Sequence, residues 1–143
     1  MGFVFRVLVA FGALAVGVAA VSLHLGCHSS SAPAGKTTVR GRVTFQGHPV
    51  AGGLVVFAPD PERGASGKPV RAETGPDGVF QLQVEGTPRV PPGWYRVALA
   101  PPPTAGPSNF PAALRRPDRS TIVREVAAGK DHFFEFAVEV PEG

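Results

Sequence analysis

Thr38-Val39-Arg40-Gly41-Arg42-Val43-Thr44-Phe45 decides how this 143-residue chain is read. Val39, Gly41, Val43 and Phe45 fall on one side of an extended backbone, and Arg40, Arg42 and Thr44 fall on the other. Successive side chains of a strand point to opposite faces, so this alternation marks a strand with one face buried and one wet.

The pattern repeats downstream. Gln46-Gly47-His48-Pro49 reads as a turn, and Gly53–Ala58 as a second strand. After the polar loop Pro59–Pro69 comes a short third strand, Val70–Thr74. Gly75-Pro76-Asp77-Gly78 carries strong turn chemistry: proline presets φ and glycine tolerates the positive region. Val79–Val84 follows with Phe80, Leu82 and Val84 on one face, which predicts a hairpin with the third strand. Trp94–Ala100 turns Tyr95, Val97 and Leu99 inward. Ile122–Val126 and His132–Val140 complete the set, the last with Phe134, Phe136 and Val138 on one side. Between them Pro101–Asp118 is a long proline-rich connection, either functional or loosely ordered.

Composition agrees. Gly 18 and Pro 16 suit turns rather than helix interiors, and Phe 10 suits strands. Only Pro111–Arg116 carries a trace of helical periodicity. The expected fold is all-β, a seven-stranded antiparallel β-sandwich around one core. Burying a phenylalanine contributes about 1.5–3 kcal/mol. Losing Phe80, Phe134 or Phe136 should therefore unfold the domain rather than alter a site.

Upstream, Val7–Leu25 is apolar but for Ser22 and His24, and Arg6 precedes it. A positive flank before an apolar run marks either a signal peptide or a single span, in both cases a hydrophobic helix ahead of the sandwich. Cys27, the only cysteine, directly follows Gly26. This junction resembles the lipobox of bacterial lipoproteins, in which the cysteine thiol is lipidated. Gly26 and Cys27 fit that pattern, whereas Leu23, His24 and Leu25 depart from it. The expected organisation is a signal peptide or membrane anchor over 1–26, a flexible tether over 27–36, and the sandwich over 37–140. The chain is expected in the cell envelope, held to a membrane through lipid on Cys27 or through the apolar run, and facing the periplasm or exterior.

The folded part also resembles the carboxypeptidase regulatory-like domains. Val39-x-Gly41-x-Val43 followed by Gly47-His48-Pro49 and a strand ending at Phe57 is similar to their opening. Thr74-x-x-x-Gly78-x-Phe80 looks like their hairpin, and Pro92-Gly93-Trp94-Tyr95-Arg96-Val97 like their Pro-Gly-x-Tyr strand. The resemblance implies a transthyretin-like (prealbumin-like) sandwich, usually an accessory module of small lipoproteins. In that reading Gly41 and Gly47 serve close approach or positive φ, and Tyr95 buries its ring while aiming its hydroxyl at a backbone group.

A nucleophile elbow, a P-loop and a metalloprotease motif are missing from the sequence. His48 and His132 meet only if the fold brings them together, and Asp60, Glu62 and Asp77 lack a dense Asp-x-Asp run for Ca²⁺. Net charge is +3 without a basic stripe interleaved with aromatics, which argues against nucleic acid. The chain therefore reads as a non-catalytic binding or scaffolding module without cofactor or metal. Its partner is a protein or a glycan. The alternatives are a carbohydrate-binding module using exposed aromatics and a structural subunit of an envelope assembly. Trp94, and Phe110 within the long proline-rich loop, are the candidate binding residues.

Overall fold

The computed structural model of the chain describes residues 36–106 and 108–141. The expected leader or anchor with its helix, Cys27, and the tether up to residue 35 lie outside the described residues. Among the described residues no helix is long and apolar enough to cross a membrane.

Eight strands are described: β1 Thr38–Phe45, β2 His48–Pro49, β3 Leu54–Pro59, β4 Val70–Glu73, β5 Val79–Gln81, β6 Gly93–Ala100, β7 Val123–Val126 and β8 Asp131–Val138. They form two sheets, and the protein is an all-β sandwich. In the first sheet β1 is central; β8 lies along one side, and β2 and β5 share the other at successive stretches. The second sheet runs β4-β3-β6-β7.

Alternation places the core. Val39, Gly41 and Val43 of β1 are buried while Arg40 and Arg42 are exposed. Phe57 of β3 is fully buried at the centre of the aromatic cluster. Its ring centroid lies 6.3 Å from Phe80, 6.1 Å from Phe134 and 6.3 Å from Phe136 across the sandwich, and 5.8 Å from Tyr95 within its own sheet. These separations lie in the favourable range for aromatic pairs.

Three expectations are corrected. The strands are not all antiparallel: β1 and β8 run parallel in register from Thr38↔Asp131 to Phe45↔Val138. The turn after β7 crosses from the second sheet to the first, so β8 starts where β1 starts, and the Thr38 amide donates to Lys130 O at 3.1 Å. The strand count is eight rather than seven, because Gln46 (φ 49°) and Gly47 (φ 78°) make a tight turn that folds His48–Pro49 back on β1.

The third correction concerns the expected hairpin. The Gly75–Gly78 turn forms, with the Gly75 amide donating to Val79 O at 2.8 Å. Yet β4 pairs with β3 and β5 pairs with β1, so this turn carries the chain from one sheet to the other. Thr74 holds the crossing: its buried hydroxyl donates to Val50 O and accepts from the Gly53 amide at 2.8 Å. The long connection is anchored as well. It contains two single turns of 3-10 helix, Pro103–Ala105 and Ala112–Arg115, and the Ser120 hydroxyl beyond it donates to Val97 O at 2.5 Å.

Candidate functional site

Trp94 enters β6 opposite Glu125 of β7, on the face of the strand away from the core. The site is built by the loop after β3. Asp60 caps the turn Pro61–Arg63, accepting the Glu62 amide at 3.2 Å, with proline at the first helical position. Gly64 (φ 74°) ends the turn in the left-handed region, and the Asp60 amide donates to Trp94 O at 2.9 Å. The loop is thereby folded back on β6. The Arg63 guanidinium lies 4.6 Å from the Trp94 ring centroid, a cation–π contact. A cleft of about 310 Å³ opens here, with Pro59, Ser66, Pro91 and Pro92 around the half-buried indole. It offers an aromatic edge, a cation and proline faces, a surface suited to flat or ring-shaped groups.

Asp60 is the pivot of this arrangement. It is 1% exposed, and its carboxylate accepts from Arg96 Nε at 3.1 Å and lies 3.5 Å from Arg63 Nε. Arg96 also pairs with Glu62. Removing one member of a buried ion pair strands the other charge. Asp60→Asn is expected to lower stability by about 1–3 kcal/mol in urea unfolding and to release Arg63 from Trp94, seen as a shift in emission of the only tryptophan. Unchanged stability would show that the carboxylate does not organise the loop.

Tyr95 faces the other way, into the core. Its hydroxyl donates to Pro91 O at 2.6 Å, fixing the segment that walls the cleft. Burial holds this hydroxyl above its ordinary pKa of 10.0. The folded state thus binds the proton more tightly, so this contribution to stability is whole below pH 10 and is lost as pH rises through the raised value. Tyr95→Phe is expected to cost about 1 kcal/mol near neutral pH and to flatten the decline of stability in alkali. As this is the only tyrosine, tyrosinate absorbance reports it alone; titration at an ordinary value would refute the burial effect.

Phe110 does not join Trp94. It is 4% exposed, with its ring 5.1 Å from Phe45, and it plugs the end of the sandwich where β1 and β6 finish. Trp94 lies at the opposite end of β6, so the fold does not bring the two expected binding aromatics together: a large apolar ring in a proline-rich loop found the open end of the core. Among the described residues the exposed large hydrophobics are Leu54 and Phe133 instead. His48 and His132 stand at opposite ends of β1. His132 stacks on Phe134, and its Nε2 accepts the Ala127 amide at 3.0 Å. Asp60 and Glu62 turn to arginines, and Asp77 accepts its own turn's Val79 amide at 3.2 Å. Cys27 lies outside the described residues. Sequence reasoning missed Arg63 and weighed Asp60 only as a Ca²⁺ ligand; the Asp60-Pro61 step, a cap followed by proline, was the available signal of its capping role.

No protein-family model matches the chain, and no curated protein matches it. Among solved structures the chain is similar to the dioxygenase domain of a dioxygenase–carbohydrate-binding protein fusion from the cellulolytic bacterium Streptomyces sp. SirexAA-E. The two are 25% identical, with 79% of this chain and 85% of that one covered and a TM-score of 0.43. The expectation of a non-catalytic domain is withdrawn: the solved domain is a dioxygenase domain, and a likeness at this TM-score carries no argument about catalysis. The expectation rested on contiguous motifs, and a sandwich can assemble a site from residues far apart in sequence without leaving one. The likeness itself brings no reaction, cofactor or residue role to this chain.

Proposed function

We propose that this chain is a membrane-anchored envelope lipoprotein that presents a carboxypeptidase regulatory-like, transthyretin-like sandwich as a binding or scaffolding module, facing the periplasm or exterior. The observation that carries the reading is the junction of an apolar run, Gly26-Cys27 and a short polar tether directly before a sandwich whose first strand opens at Thr38. Lipid chains on Cys27 would hold the module at the bilayer. Mass spectrometry of the mature N-terminus tests this. A lipidated Cys27 is the expected result; an intact Met1 would favour an uncleaved span, and free soluble protein would defeat both.

The Trp94 cleft favours a second reading, a carbohydrate-binding module. Sugar rings stack on indoles, and Arg63 and Ser66 supply donors beside this one. Because Trp94 is the only tryptophan, a glycan panel that changes its fluorescence would support the reading. An emission unmoved by every glycan would remove it.

A further inference from the structure

The sandwich is left open along one side. β7 ends the second sheet with β6 as its neighbour there, and β8 ends the first with β1 as its neighbour. A cleft of about 480 Å³ runs between these two strands, and Leu114, Ile122, Phe136 and Val138 give it an apolar floor. Arg124 of β7 points into it. Its guanidinium lies 5.4 Å from the Phe136 ring and 5.9 Å from that of Phe134, and Nη1 donates to Val123 O at 2.8 Å. Among the described residues Arg124 has no carboxylate within ion-pair distance. Glu135 and Glu139 lie exposed on the outer side of the same cleft.

We propose that this seam binds an extended peptide segment of a partner protein, laid along β8, with a carboxylate turned inward to Arg124 and basic side chains turned outward to Glu135 and Glu139. A strand edge offers main-chain donors and acceptors that only an extended backbone satisfies in series. An extended peptide alternates its side chains, so one face meets the apolar floor and Arg124 while the other meets the two glutamates. The charges of the seam thus specify both faces of its occupant. The inference extends the binding-module reading to a second surface, and its test is blind to Cys27 and Trp94, so either can fail alone.

The test uses the full chain in detergent micelles and a fluorescently labelled seven-residue peptide. Lysines occupy the outward positions and valines the inward ones, except for one central inward glutamate. Anisotropy is expected to show binding that weakens roughly tenfold or more in Arg124→Glu, since like charges brought together cost several kcal/mol. A peptide with lysine in place of the central glutamate should bind Arg124→Glu better than the wild type. Because that reversal could unfold the edge, hydrogen exchange on the wild type gives a second measure: the peptide should protect amides of residues 131–138. Equal binding to wild type and variant, protection elsewhere, no binding, or closure of the seam by a second copy of this chain would each overturn the proposal.

Discussion

Replacing Gly41 by alanine is expected to unfold the domain. Gly41 sits in β1 between Phe80 of β5 and Phe134 of β8. A β-carbon built there would lie 2.2 Å from Phe134 O and 2.7 Å from the Phe80 ring. Neither neighbour can give way. The oxygen belongs to the backbone of the strand paired with β1, and the Phe80 ring stacks on Phe136 at 6.1 Å inside the core. Overpacking a core commonly costs about 1–3 kcal/mol; with backbone as the obstacle, about 3 kcal/mol or more is expected. That is a large share of the ~5–15 kcal/mol that keeps a domain folded. Gly47→Ala is the control, because Gly47 has open space around it and only its φ of 78° to lose. It should cost about 1 kcal/mol. Urea unfolding of both variants measures the contrast, and a Gly41→Ala protein as stable as the wild type would refute the close approach of β1 and β8.

Phe57→Ala has the next largest expected effect. Phe57 is fully buried, and its ring touches rings from both sheets. Truncation removes the transfer energy of the ring and leaves a void that four other aromatics cannot fill without leaving their rotamers. The expected cost is about 3–5 kcal/mol. Phe133→Ala provides the comparison: Phe133 is 56% exposed on the outer face of β8, and its loss should stay within about 0.5 kcal/mol. Thermal melts that fail to separate the two variants would contradict the placement of the core.

The strands were legible because one face of each is wet. Period-two alternation located β1, β5, β6 and β8, and short apolar runs between turn residues located β3, β4 and β7. Gly41 was read as serving close approach or positive φ, of which the structure shows the first. Partnership was not legible. The Gly75–Gly78 turn reverses the chain locally, but its residues do not say which sheet each arm joins; Thr74, bonded to the turn before β3, decides that. The parallel pairing of β1 with β8 links residues far apart in sequence and leaves no local signature.

At the candidate site the sequence pointed to Trp94 but not to its surroundings. Arg63 and Asp60 lie in a stretch that reads as a polar loop, and buried Asp60 accepts from Arg96, a partner 36 residues away. Phe110 was offered as a binding residue because it lies in the long proline-rich connection Pro101–Asp118. A lone large aromatic in such company is better read as the loop's anchor.

The marriage of the first strand to the last sets the order of events as the polypeptide is made. Thr38 and Asp131, joined side chain to side chain, are 93 residues apart. A nascent chain can pair β1 with β2 and β5 early, but one whole side of β1 stays bare until β8 has emerged. Such distant pairings are slow to close, so the union of β1 with β8 is expected to be the last of the sheet contacts to form.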